Sequence, residues 1–83
     1  MDVMNEVIQV LDEVLSLGGR GADFQRDTAL LGSVPELDSM AVVSLITTLE
    51  ERFGISIDDD EIDGDVFATV GSLVDFVHRK VGA

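Results

Sequence analysis

The spacing of apolar side chains predicts a helix at the start of the chain. At about 100° per residue, Val3, Met4, Val7, Ile8, Val10, Leu11, Val14, Leu15 and Leu17 fall within one half of a helical wheel. Asp2, Asn5, Glu6, Gln9, Asp12, Glu13 and Ser16 take the other side, so residues 2–17 read as an amphipathic helix. Gly18-Gly19 is the expected stop, because glycine reaches the left-handed cap conformation without steric cost. A connection of about 20 residues follows, punctuated by Gly21, Gly32 and Pro35, which is long for a small domain. Phe24, Leu30, Leu31, Val34 and Leu37 give it the means to be pinned over the ends of a helical bundle.

Helical spacing returns at 39–53, where Val42, Leu45, Ile46, Leu49 and Phe53 make a buried stripe that Gly54 terminates. Ile55 and Ile57 are β-branched, but three residues are too few for a sheet with no partner strand. Residues 58–68 predict a short helix anchored by Ile62 and Phe67 and weakened by Gly64. A last helix runs over 70–81 behind Thr69 as cap, with Val70, Leu73, Val74, Val77 and Val81 on one face. Arg79 and Lys80 fall in its final turn, where the helix dipole favours cations. The expected fold is all-α: a small bundle of three main helices plus one short helix, with a long loop between helices one and two. One domain over residues 1–83 accounts for the whole length.

Composition narrows the function. The chain is 46% hydrophobic, enough for one core, and has no cysteine, which excludes disulfides, thiolate metal sites and a catalytic thiol. Seventeen acidic residues against five basic give a net charge of −12, which repels nucleic-acid phosphates and anionic lipid. The charge is uneven: −6 over residues 1–38, −7 over 39–65 and +1 over 66–83. Partners are therefore expected to be proteins with basic patches that meet the middle third. His78 is the single histidine, so a Ser-His-Asp triad has no support, and it reads as a surface residue favoured by the last helix's dipole. Phe24, Phe53, Phe67 and Phe76 read as core. No apolar stretch approaches the ~18 residues of a membrane span, and the N-terminus lacks the basic start of a signal peptide. A cytoplasmic, monomeric protein without stable membrane insertion is expected.

The most informative point is the start of helix two, Glu36-Leu37-Asp38-Ser39-Met40. Asp38 suits the N-cap, its carboxylate accepting from the amides of Met40 and Ala41. Ser39 then takes the first helical position, where the dipole and first-turn amides favour a phosphate ester on its oxygen. Subtracting the buried stripe leaves Met40, Val43, Ser44, Thr47, Glu50 and Glu51 facing solvent. Met40 and Val43 supply apolar contact and the two glutamates supply charge, a pattern suited to docking a partner.

Together these residues resemble the acyl carrier and peptidyl carrier protein family, in its standalone bacterial form. The resemblance runs through Asp38-Ser39-Met40, Leu49-Glu50-Glu51-Arg52-Phe53-Gly54-Ile55, the acidic segment, and Thr69-Val70-Gly71-Ser72-Leu73. It implies that Ser39 receives 4′-phosphopantetheine from coenzyme A, with Asp38 and Met40 belonging to the recognised motif. It further implies that the chain carries an acyl or aminoacyl group as a thioester between partner enzymes and is not itself an enzyme. The implied partners are a phosphopantetheinyl transferase and a loading ligase or acyltransferases with basic docking patches, meeting Met40, Val43, Thr47, Glu50 and Glu51. A thiol delivered on a cofactor reconciles thioester chemistry with a chain that has no cysteine.

Ser44 and Thr47 depart from familiar fatty-acid carriers, which often place a glutamate and an apolar residue there. Met40 and the Asp60-Glu61-Ile62-Asp63 stretch look similar to D-alanyl carriers of cell-envelope modification, which stand as an alternative. A rival of another class is a calcium module. Asp59, Glu61, Asp63, Gly64, Asp65 and Val66 fall at EF-hand loop positions, but Val70 stands where the bidentate glutamate is needed. No metal is expected.

Overall fold

The computed structural model describes residues 3–30 and 38–82. Three α-helices carry the fold: α1 (Val3–Leu15), α2 (Ser39–Phe53) and α3 (Val70–Val81). Two single 3-10 turns, Arg20–Asp23 and Asp59–Glu61, complete the helical elements among the described residues. α1 packs against both α2 and α3. Its inner face buries Val3, Val7, Val10, Leu11 and Leu15, which meet Leu45 and Leu49 of α2 and Leu73, Val74 and Val77 of α3 in one core. Full burial of each such side chain contributes about 1.5–3 kcal/mol. All four phenylalanines belong to this core: Phe67 and Phe76 are buried, and Phe24 and Phe53 pack half-buried against it.

Helices two and three match the expected ranges of 39–53 and 70–81. The first is shorter than 2–17, and its stop differs from the expected one. Ser16 takes the left-handed position at the helix end, at φ 53°, and Gly18 (φ 64°) and Gly19 (φ 97°) continue with positive φ beyond it. The Ser16 amide donates to the Glu13 carbonyl at 3.4 Å and the Leu17 amide to that of Asp12 at 3.0 Å, closing a Schellman motif. The turn swings Leu17 into the core, at 4% exposure, which offsets the strain at Ser16. Asp12 then gathers the following turn, its carboxylate accepting from the amides of Gly19 (3.1 Å) and Gly21 (3.0 Å).

The short helix expected over 58–68 contracts to the 3-10 turn Asp59–Glu61 followed by turns. Its local hydrogen bonding explains the contraction. The Asp63 carboxylate accepts from the amides of Asp65 (3.0 Å) and Val66 (3.2 Å), competing with a helical ladder. The hydrophobic anchors still dock: Val66 and Phe67 are buried and Ile62 is half-buried. Glu61 ties this segment to α3, its carboxylate accepting from Lys80 Nζ at 2.8 and 2.9 Å and from the Asp58 amide at 3.0 Å.

Part of the long connection is strapped down by backbone pairing. The Leu30 amide donates to the Ala68 carbonyl (3.0 Å), Val70 to Thr28 (2.9 Å) and Gly71 to Arg26 (2.7 Å), with a lone antiparallel bridge at Ala29 and Thr69. The Arg26 guanidinium adds an ion pair with Asp75 at 2.9 Å. Leu30 is fully buried and Phe24 half-buried, as a pinned loop requires. Leu31, Val34 and Leu37 lie outside the described residues. Gly71 makes the strap possible: a Cβ there would stand 2.8 Å from the Arg26 carbonyl oxygen. Behind it, Thr69 and Ser72 form a reciprocal capping box, Thr69 Oγ1 accepting from the Ser72 amide at 3.1 Å and Ser72 Oγ from the Thr69 amide at 3.0 Å.

Gly71→Ala is expected to destabilise the fold by about 1–3 kcal/mol, measured by urea unfolding, since the clashing atom is backbone and cannot rotate away. The Lys80 hydrogen bond, then that of the Asp58 amide, holds the Glu61 carboxyl below its ordinary value. A carboxyl lowered on folding stabilises fully above its unfolded value, and the stabilisation is lost as the pH falls through the folded one. The wild type should therefore lose stability below about pH 4.3 more steeply than Lys80→Met, in thermal melts across an acid pH series.

Candidate functional site

The site is built on the first turn of α2. Asp38 is extended, at φ −111° and ψ −175°, and its Oδ1 accepts from the Ala41 amide at 2.8 Å. Its own carbonyl accepts from the Val42 amide at 2.9 Å, the first bond of the helix. Asp38 is thus the N-cap the sequence indicates, with the Ala41 amide as the partner that is seen. Ser39 is the first helical residue and is exposed. Its hydroxyl stands at the positive end of a helix of 15 residues, beside first-turn amides that have no intrahelical acceptor. A phosphate diester on this oxygen would be favoured electrostatically and would displace no core contact.

The outward face of α2 follows the expected pattern at its N-terminal half. Met40 and Val43 are 74% and 59% exposed, the large hydrophobic residues most open to solvent among those described. Ser44 and Thr47 are exposed beside them. The Thr47 hydroxyl donates to the Val43 carbonyl at 3.1 Å, and that of Thr48 to the Ser44 carbonyl at 2.8 Å.

The C-terminal half departs from expectation. Glu50 is half-buried, and its Oε2 accepts from the Ile57 amide at 2.8 Å. It clamps the chain after Gly54, whose left-handed φ of 64° ends α2, and so is not the freely solvated carboxylate expected on a docking face. No local sequence signal marks this role, because its partner lies seven residues on. Arg52 is committed as well, pairing across to α1 with Glu6 at 2.9 Å and Glu13 at 3.2 Å. Glu51 is the exposed acid that remains.

Other candidate chemistry lies apart from this turn. His78 is exposed on α3. In the acidic segment Glu61 turns to Lys80, and Val70, at the position where a calcium loop needs its glutamate, is fully buried. Among the described residues, no group of three or more His, Asp or Glu side chains is placed to hold a metal ion. A surface cleft of about 510 Å³ lies between residues 61–66 and α3, lined by Val66 and Phe76 with charged residues around them, and it includes no residue of α2.

Residues 5–77 match the phosphopantetheine attachment site family. The chain belongs to this family of carrier proteins. It is 34% identical to an acyl carrier protein of Prochlorococcus marinus, covering 98% of this chain and 95% of that one. It is 33% identical to an acyl carrier protein of Desulforapulum autotrophicum, covering 96% and 99%. The solution structure of a holo acyl carrier protein from Nitrosomonas europaea superposes with a TM-score of 0.91 at 48% identity, over 100% of both chains.

The family match over residues 5–77 and the likeness to a holo acyl carrier protein give the chain an acyl carrier function with covalent 4′-phosphopantetheine. The comparisons favour neither the D-alanyl alternative nor the calcium module. Ser39 offers an exposed hydroxyl on a capped helix start, which fits the covalent attachment of such a group.

Asp38→Ala should lower stability by about 0.5–2 kcal/mol through loss of the cap, while Asp38→Asn should keep most of it. Urea midpoints of the two variants check this.

Proposed function

We propose that Ser39 carries the 4′-phosphopantetheine, and that the whole chain, residues 1–83, is one carrier domain presenting that group to partner enzymes. The observation that supports this best is the exposed Ser39 hydroxyl at the first position of α2, directly behind the Asp38 cap. Other serines are less suited. Ser72 Oγ lies 2.8 Å from the carbonyl oxygens of Val66 and Thr69 and is occupied by the capping box. Ser44 is exposed but sits inside α2, away from the first-turn amides.

Within this reading Asp38 fixes the direction of the chain into α2, and Met40 flanks the modified oxygen as the motif residue that a transferase reads. When bound, the cofactor supplies the terminal thiol that a chain without cysteine lacks, and on it an acyl group is held as a thioester. The carrier has no catalytic centre of its own. It is a substrate, first of a phosphopantetheinyl transferase and then of a loading ligase or acyltransferases, in the cytoplasm. No helix among the described residues is long and apolar enough to cross a membrane.

Incubation with coenzyme A and a broad-specificity phosphopantetheinyl transferase should add one phosphopantetheine to the intact mass, mapping by peptide analysis to Ser39. Ser39→Ala should abolish the gain and leave the helical circular dichroism unchanged, because the exposed hydroxyl supports no core contact. A wild-type chain that stays unmodified, or a group mapped to another residue, would refute the assignment.

A further inference from the structure

We propose that the Met40 thioether is a site of reversible oxidation by uncharged hydroperoxides, and that its sulfoxide holds back the loading of Ser39. The second half rests on the reading of Ser39 as the modified residue. The chain has no cysteine and three methionines, Met1, Met4 and Met40, so its own oxidisable sulfur is confined to thioethers. Met4 is half-buried and packs against the core, whereas Met40 is 74% exposed. An oxidant must reach the sulfur lone pair, so of these two side chains Met40 reacts first.

The surroundings of Met40 leave the sulfur open. Among the described residues, the rings that could cover a thioether, Phe24, Phe53, Phe67 and Phe76, all pack in or against the core. Val43 and Ser44, one turn further along α2, are themselves exposed. Charge then selects the oxidant. The Asp38 carboxylate, whose Oδ1 accepts from the Ala41 amide at 2.8 Å, stands two residues before Met40 on a chain of net charge −12. An anionic oxidant is repelled there and an uncharged hydroperoxide is not.

In the step, the sulfur lone pair attacks the terminal peroxide oxygen and the O–O bond breaks. Sulfur keeps that oxygen as a sulfoxide, a two-electron oxidation. The proton of the transferred oxygen passes to the other oxygen, which leaves as water or an alcohol. The product sets a polar, chiral tip directly after Ser39 in place of an apolar one. Met40 lies outside the core, so the helices persist and the change is confined to the serine turn. Methionine sulfoxide reductases reverse it, which makes the site a gate on the step from unloaded to loaded carrier.

The test treats the full chain, before cofactor attachment, with hydrogen peroxide and then removes the peroxide with catalase. Peptide mapping should show one added oxygen on Met40 about tenfold faster than on Met4. The oxidised chain should keep its helical circular dichroism. It should lose about tenfold in kcat/KM for loading by a purified phosphopantetheinyl transferase, as when an apolar contact is lost. Met40→Leu, compared with its own untreated sample, should lose less than about twofold, because the position has no sulfur. Methionine sulfoxide reductases of both epimer specificities should restore mass and rate to the oxidised wild type. Equal oxidation of Met4 and Met40, an unchanged loading rate in the oxidised wild type, an equal loss in Met40→Leu, or a loss of helical signal overturns the proposal and leaves Ser39 as the modified residue. Failure of the untreated wild type to gain mass on Ser39 overturns the underlying reading instead, and the gating of loading with it.

Discussion

The burial of one face of α1 against two helices at once governs the rest of the structure. Val7, Val10 and Leu11 are fully buried, and the inner residues of α2 and α3 close over them. Because α1 takes Leu45 and Leu49, the rotation of α2 about its axis is fixed, and Met40, Val43, Ser44 and Thr47 must face outward. The exposure of the serine turn therefore follows from packing on the opposite side of the same helix. A core change on α1 would reach the site by re-aiming α2, although no residue of α1 need touch Ser39.

Charge plays a different part. Three of the five basic residues join segments far apart in sequence: Arg26 with Asp75, Arg52 with Glu6 and Glu13, and Lys80 with Glu61. Exposed pairs of this kind contribute about 0–1 kcal/mol each, so they orient segments more than they hold the fold. Their effect on function is one of removal. Cations engaged in tertiary ties, and an acid such as Glu50 engaged by a backbone amide, are less free to pair with a partner. Beyond Ser39 the exposed face of α2 is uncharged as far as Glu51, while the Asp38 carboxylate stands directly before the serine.

The carrier task fits this division. On the proposed assignment of Ser39, the covalent arm leaves a helix start made rigid by the Asp38 cap. The strap between residues 26–30 and 68–71 holds the first part of the long connection to α3.

The sequence by itself determined the three helices, the Asp38 and Thr69 caps, the core stripe and the serine turn, because periodicity and capping are local properties written in neighbouring residues. The ranges of α2 and α3 were legible for that reason, as was the outward placement of Met40 and Val43. Only the tertiary structure decided the features that depend on residues distant along the chain. Ser16 accepts a left-handed φ because Leu17 has a core to enter. Residues 58–68 shorten to a single 3-10 turn because Asp63 bonds its neighbours' amides and Glu61 reaches across to Lys80. Gly71 is required by the Arg26 carbonyl that lies against it, a contact between residues 45 positions apart. Glu50, solvent-facing by helical register, is drawn to the Ile57 amide because Gly54 turns the chain back over the end of α2. Periodicity reports which side of a helix is wet, but it carries no record of what folds back onto that side.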